Sequence, residues 1–420
     1  MGKDNKNLLI IYPHWPPSNL AGVHRPRLIA NYINEFGWHP IVLTVKPEYY
    51  EEPPDYDIIK TVAPHVEVIY TDARPVPKPR IYGDIGLRSF GYLKRKALEI
   101  IHARRIDFIW IPIPSFYTAL LGRILHDRTG IPYGIDYIDP WVRNISNRRN
   151  WRAVLSNAAA YVLEPIAVKK AALISGVSRA YFEPVLKRNF SAGQEPVTVA
   201  MPYGFDPGDH KIKPAKIELP WQGCNCRPVV YAGAFLPMSG YFIQELFRAI
   251  RQMHDQGIMP KDIRLYFIGT GNYTHKSISE YAREAGVDQY VTEIRERFPY
   301  LHILHFLSQA YGVMVIGSTE RHYTASKIFQ ALLSQRPVFS VFHHQSLTVN
   351  ILEDARADAY LVRYNPEKEQ DFKQQVRRVF EDFIHERKAW QPDFSALEKY
   401  SARASARVLA EAMDKVLFRG

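Results

Sequence analysis

"YGVMVIGS" (311–318) and "SKIFQALLSQRPVFSVF" (326–342) are joined by the polar link "TERHYTA" (319–325). The first stretch reads as a buried strand by its unbroken apolar run. In the second, Ile328, Phe329 and Leu332 share one helical face before "RPVFSVF" (336–342) resumes a strand. Strand, short link, helix, strand is the repeating unit of a parallel sheet, because a crossover helix has to return the chain to the edge where the strand began. Ser326 and Lys327 open that helix. A helix start presents unpaired N–H groups and partial positive charge, so a lysine there is locally unfavourable unless an anion sits beside it; the pattern points to a bound phosphate.

The same alternation extends in both directions. In the second half, strands are read at 228–235, 263–271, 290–294, 311–318, 336–342 and 359–362, with helices at 240–254, 274–286, from about 299, 326–335 and 346–355. In the first half, strands are read at 8–12, 40–45, 66–71, 107–113, 131–138, 172–178 and 197–207, with helices at 25–37, 86–105, 117–130 and 151–172. Residues 208–227 interrupt the pattern with Pro, Gly and charge, as a linker does. The expectation is an α/β chain of two Rossmann-like, doubly wound domains facing a cleft: an N-terminal domain 1–207, the linker 208–227, a C-terminal domain 228–393 and a terminal helix 394–420. Ligands of such sheets bind at the carboxyl ends of the strands.

Composition sets outer bounds. The 420 residues are 46% hydrophobic, 13% aromatic and 23% charged, which excludes a disordered or fibrous chain and supplies two cores. The apolar run before His14 spans five residues, too short for a signal peptide, and no later run approaches the roughly 18 apolar residues of a span, so a cytoplasmic protein is expected. Lys6 occupies the place where a myristoylation signal needs Ser or Thr. Cys224 and Cys226 lie too close for an ordinary disulfide framework and lack metal-ligand neighbours, and read as two reduced thiols. Asp55 and Asp57 form an Asp-x-Asp within a Pro- and Tyr-rich loop, away from any strand end; no metal site is assigned.

The formal net charge is +11, with basic residues crowded in 74–105 and 143–188, a field that attracts polyanions. In helix 86–105, Leu87, Phe90, Leu93, Ala97 and Ile101 share a face and Arg88, Lys94 and Arg95 lie elsewhere. Such a helix either rests on an anionic membrane or packs on the first sheet. An anionic membrane surface is therefore counted among the partners of the basic first half, at the inner face of the membrane. No nucleic-acid module accompanies the charge, and no nucleic-acid partner is assigned.

Several stretches carry a family resemblance. "YPHWPPSNLAGVHRPRLIANYINEFGWHPIVLTV" (12–45), "YIDPW" (137–141), "ISGVS" (174–178) and "MPYGFDP" (201–207), then "VVYAGAF" (229–235), "YFIGTGN" (266–272), "ERFPY" (296–300) and "SKIFQALLSQRPVF" (326–339) resemble, in order, the signposts of nucleotide-sugar-dependent glycosyltransferases of GT-B fold, in particular the retaining group called family 4. The resemblance implies transfer of a sugar from a nucleoside diphosphate sugar to a hydroxyl of a glycan or lipid-linked acceptor in cell-surface polysaccharide synthesis. It implies retention of configuration, with the donor as substrate, no cofactor and no essential metal. It also makes the first domain the acceptor side and the second the donor side.

Carried onto this sequence, the resemblance gives donor-binding roles to Gly22 and Arg25 in the first strand-to-helix loop, to Gly233, Gly269 and Gly271 at strand ends, to Arg297, and to Ser326, Lys327 and Gln330. Plain structural readings stand beside these: turn geometry for the glycines, a solvated helix-end position for Arg297, and a lysine reaching out of an amphipathic helix for Lys327. The family's pair of acids spaced by seven residues is absent, His322 and Gln330 taking the two places and Glu320 lying two residues out of register. Asp139 ends a strand and is the catalytic candidate, orienting the acceptor hydroxyl or acting as base; as an Asp before Pro it also suits a turn. Two alternatives remain at this level: a non-catalytic nucleotide-sugar or glycan binding protein that lacks the acidic pair, and a nucleotide-sugar epimerase.

Overall fold

The structure, a computed structural model, describes residues 6–80, 82–143, 151–191, 193–214, 217–271, 276–321 and 326–418. The chain divides into two compact units, 1–206 with 399–420, and 207–398.

Unit 1 begins with β1 (Lys6–Ile11), α1 (Ala21–Ile33), β2 (Trp38–Val45), β3 (Glu67–Thr71), α2 (Ile85–Ala103) and β4 (Phe108–Ile113). It continues with α3 (Ala119–Thr129), β5 (Tyr133–Tyr137), α4 (Trp151–Val168), β6 (Leu173–Gly176), α5 (Arg179–Asn189) and β7 (Val197–Ala200). Its seven strands are all parallel, in the order β3-β2-β1-β4-β5-β6-β7. Unit 2 holds β8 (Arg227–Ala232), α6 (Gly240–Asp255), β9 (Ile263–Ile268), α7 (Ile278–Glu284), β10 (Val291–Ile294) and α8 (Tyr300–Gln309). There follow β11 (Gly312–Ile316), α9 (Lys327–Leu333), β12 (Val338–His343), α10 (Leu347–Asp354), β13 (Leu361–Tyr364) and α11 (Glu369–Ile384). Six parallel strands run β10-β9-β8-β11-β12-β13. The chain then returns to unit 1 with α12 (Ala402–Leu417).

Continuous apolar strands are what a sheet covered on both faces requires, and Leu8, Leu9, Ile10 and Ile11 of β1 are all fully buried. One face of the first sheet packs Leu9, Ile11, Leu43 and Ile111 against α2 and α3; the other packs Leu8, Ile10, Trp38 and Phe108 against α1 and α12. Helix α12 starts where the Ser401 hydroxyl accepts from Ala404 N (3.0 Å) and buries Leu409, Ala410 and Met413 in this second layer. Trp38 Nε1 donates to Asp414 (3.0 Å), fixing its far end. Residues 208–227, which interrupt the sequence pattern, lie with unit 2, Trp221 packing against Tyr266 and Phe306.

Of the two readings open for helix 86–105 the structure takes packing on the sheet, and two other readings from the sequence are corrected. Helix α2 turns its apolar side inward: Leu93 and Ala97 are fully buried in the core of the sheet, with Phe90 and Ile101 packed against it, so this face is not available to a membrane. Cys224 and Cys226 are joined as a disulfide rather than standing as two thiols; the turn closed by Cys224 N to Trp221 O (3.0 Å) brings their Cα atoms to 5.3 Å. Helix α1 begins at Ala21, so Gly22 and Arg25 lie inside it and not in the loop before it.

Arg25 is fully buried, and its guanidinium is a structural clamp. Its Nε and Nη2 grip the two oxygens of Asp136 on β5 (2.5 and 3.0 Å), and Nη1 donates to the carbonyls of Met201 and Pro202 beyond β7 (3.1 and 2.7 Å). Ser175 on β6 completes the network by donating to Asp136 (2.6 Å). A planar fork with fixed donors suits this geometry, and each buried charge is stable only because the other is present. Asp136→Ala leaves the guanidinium unpaired in the core and is expected to cost about 3–5 kcal/mol of stability, read by urea denaturation. A loss under about 1 kcal/mol contradicts the clamp.

Candidate functional site

In each sheet the strand order reverses once, at β1/β4 in unit 1 and at β8/β11 in unit 2. Neighbouring crossovers leave such a point toward opposite faces, so the strand ends there stay open.

In unit 2, Gly233 follows β8 at the reversal point with φ +121°, a backbone setting that side chains other than hydrogen rarely permit. Lys327, the first residue of α9, folds over this strand end. Its ammonium donates to the Tyr231 hydroxyl (2.8 Å) and to Ala234 O (3.3 Å), and it stands 4.3 Å above the Tyr231 ring. A Cβ at Gly233 would lie 3.3 Å from the same ammonium. Burial pushes the Tyr231 phenol well above its ordinary pKa, so it remains a neutral acceptor for the lysine while donating to Ala234 O (2.9 Å). Gly269 ends the neighbouring strand with φ +72° and its amide donates to Ile294 O (2.7 Å). The structure therefore brings Gly233, Gly269 and Lys327 together.

The remaining donor candidates sit differently. Gly271 is tied on both sides to Arg295, its amide donating to the backbone (3.0 Å) and its carbonyl accepting from the side chain (3.0 Å). Arg297 lies exposed beyond β10, and Ser326 is exposed at the start of α9 with no capping bond from its hydroxyl. The Gln330 Oε1 meets His210 Nε2 at 2.7 Å, so its amide is engaged within unit 2 by a residue from the stretch read as a linker. Glu320 is exposed, and His322 lies outside the described residues.

In unit 1, a second group forms at the carboxyl edge. Asp139 follows β5, half-buried; burial raises its carboxyl above the usual range against the opposing pull of Arg143. Its charge helps raise the phenols of Tyr12, just beyond β1, and of Tyr203, whose hydroxyl donates to Ala21 O, although burial is the main cause for both. A Cβ at Gly22 would overlap the Tyr12 hydroxyl, so that glycine is required by packing within this group.

Beside it lies a cavity of about 300 Å³ lined by His14, Leu20, Glu52, Arg80, Asp84 and Arg88, among others. His14 Nδ1 stands 3.2 Å from Glu52, which also accepts from Ser18. Burial raises the Glu52 carboxyl, but the nearby His14 imidazole and the hydrogen bond from Ser18 outweigh it and hold the group at about 2. Asp84 caps α2 by accepting from Leu87 N (2.9 Å), and burial raises its carboxyl. Arg88 is committed to the carbonyls of Gly83, Arg74 and Tyr49 (3.2, 2.9 and 2.9 Å). His14, Glu52 and Tyr231 escape sequence reasoning; the available signal is that His14 and Tyr231 stand at or just past the end of the strand before a reversal point. Among the described residues, no group of three or more His, Cys, Asp or Glu is placed to hold a metal ion.

No family model matches the chain, and no curated protein matches it by sequence. Solved structures match over the whole length. HepE from Anabaena, solved with UDP and glucose, has a TM-score of 0.56 at 15% identity, over 99% of this chain and 98% of the other. The sucrose-phosphate synthase of Thermosynechococcus elongatus has a TM-score of 0.57 at 16% identity, covering 99% and 94%. The chain has the GT-B fold. A Listeria monocytogenes protein assigned as a UDP-N-acetylglucosamine 2-epimerase matches similarly, at a TM-score of 0.54 and 12% identity over 99% and 97%.

Glu52 gives this edge a measurable pH signature. Its folded value of about 2 lies below the ordinary 4.5, so the fold stabilises the ionised form; that contribution is present above pH 4.5 and drains as pH falls toward 2. The melting-temperature gap between the parent and Glu52→Gln is expected to be widest above pH 5 and to close across this window. A gap of the same width at pH 2.5 and pH 7 would show that the carboxylate is not held by His14 and Ser18.

Proposed function

We propose that the protein is a glycosyltransferase that moves a sugar from a nucleoside diphosphate sugar to a hydroxyl of a glycan or lipid-linked acceptor, in cell-surface polysaccharide synthesis. The observation that carries this reading is the Lys327 ammonium seated over Gly233 at the reversal point of the second sheet. Hydrogen bonds to the Tyr231 hydroxyl and to Ala234 O orient the ammonium over this strand end. An ammonium fixed at the open end of a parallel sheet, next to a position without a Cβ, suits a diphosphate that must approach backbone closely. That HepE was solved with UDP and glucose supports a uridine diphosphate sugar as the first donor to try.

In this reading the bond from the anomeric carbon to the diphosphate oxygen breaks, and Lys327 stabilises the charge that develops on the leaving group. The acceptor oxygen forms the new bond on the same face, with retention, and its proton passes to the departing phosphate oxygen. Asp139, with Tyr12 and Tyr203 around it, orients the acceptor hydroxyl by accepting its hydrogen bond. Arg25 takes no part, because its donors are spent on the core. The donor is a substrate, and no metal or cofactor enters the scheme.

Binding tests this first. UDP is expected to raise the melting temperature of the parent, and Lys327→Ala to weaken UDP binding by at least ~10-fold in calorimetry, about 1.4 kcal/mol. Equal affinity in the two proteins sinks the placement of the diphosphate. Turnover is expected to need an acceptor and to survive EDTA. Interconversion of the sugar with donor alone, followed by NMR, would favour the epimerase reading that the Listeria likeness keeps open.

A further inference from the structure

Helix α4 is amphipathic in the wrong direction for a helix that only packs on a sheet. Its inward positions are Ala160, Glu164, Ala167 and Val168, all buried. Its outward positions carry the large side chains: Leu155, Val162 and Ile166 are 60%, 65% and 49% exposed, with Val154 and Tyr161 exposed beside them. Leu155, Ala158, Val162 and Ile166 follow one another at three- and four-residue steps, which sets them in a single stripe along the helix. Scattered exposed apolar residues are ordinary; a continuous stripe of them marks a surface made for contact.

The charge around the stripe narrows the partner. The single acid of α4, Glu164, is 1% exposed and held by Arg188 at 2.7 Å, so no carboxylate faces outward along the helix. Lys169 and Lys170 follow its last turn on the surface, Lys170 reaching Asp127 at 2.8 Å. Arg143 is exposed at the other end, where its backbone N–H donates to Asn157 Oδ1 (2.8 Å). An apolar stripe with cations at its rim fits a bilayer whose headgroups are anionic. A second copy docked by two-fold symmetry would bring the same basic-rimmed stripe against itself, the rim carboxylate Asp127 being already held by Arg123 and Lys170. Among the described residues no helix is long and apolar enough to cross a membrane, so α4 would lie in the interface.

We propose that α4 docks unit 1 onto anionic bilayers, with Leu155, Val162 and Ile166 entering the headgroup region and Lys169 and Arg143 on lipid phosphates. The inference stands apart from the transferase reading, since it needs neither donor nor turnover.

Flotation with vesicles of equimolar phosphatidylcholine and phosphatidylglycerol, against vesicles of phosphatidylcholine alone, tests it on the full chain. The parent is expected to float with the anionic vesicles at least ~10-fold more tightly than with the neutral ones, and less so in high salt. Leu155→Glu/Val162→Glu is expected to lose that binding at least ~10-fold, while Tyr56→Glu, at another exposed site of unit 1, keeps it. Lys169→Glu is expected to lower the preference for anionic lipid. The proposal is overturned if the parent does not float, or if the α4 double variant, folded by circular dichroism, floats as well as the parent. It is equally overturned if size exclusion shows a dimer that the double variant dissolves while vesicles remain unbound.

Discussion

All strands of a parallel sheet end on one edge, and where their order reverses the crossovers part company and leave that edge open. The chain meets this constraint twice, between β1 and β4 and between β8 and β11. Several of the residues with chemistry to offer stand at these two points. Tyr12, His14 and Gly22 stand at the first, and Tyr231, Gly233 and Lys327 at the second.

The two points use their cations in opposite ways. Arg25 beside the first is a rigid fork that makes four hydrogen bonds to Asp136 and two carbonyls, so its charge is consumed in joining α1 to β5 and to the chain beyond β7. Lys327 at the second is a compact charge on a flexible stem, steadied by a phenol and a carbonyl. Moving Lys327 would break its hydrogen bonds to the Tyr231 hydroxyl and Ala234 O; moving Arg25 would strand a buried carboxylate. The scaffold is thus stiff in unit 1 where it must hold shape, and adjustable in unit 2 at its strand ends.

Periodicity made the fold legible. Apolar runs of strand length alternating with helical stripes specify parallel units, and the seven and six strands expected are the seven and six found. Boundaries were harder. The apolar face of 25–37 suggested a helix beginning at Arg25, yet α1 begins at Ala21 and carries Pro26 inside it, which places Arg25 in the helix and in the core. Long-range partners left no trace in the sequence: His210 meets Gln330 across 120 positions, and Glu52 meets His14 only after the loop following β2 folds back. Lys327 was legible because the strand-link-helix pattern alone puts it at a carboxyl edge. The Cys224–Cys226 pair needed the turn at Trp221, which residue spacing does not reveal.

Helices α2 and α4 show where sequence periodicity stops informing. Both stand in basic stretches, and both carry apolar residues at helical spacing. Periodicity reports that apolar residues share a side; it does not report which side the sheet takes. In α2 the sheet takes the large residues, Leu93 and Ile100 among them, and the ordinary hydrophobic gain of packing accounts for the pattern. In α4 the contact layer is Ala160, Glu164, Ala167 and Val168 with Leu163 beside them, while Leu155, Val162 and Ile166 are left on the outer side. Leucine, valine and isoleucine on that outer side leave about half or more of their surface in water. A sequence selected for the fold alone could fill those positions with lysine and glutamate at no cost to the core; that it does not is the reason to look for a second apolar phase in which α4 completes its burial.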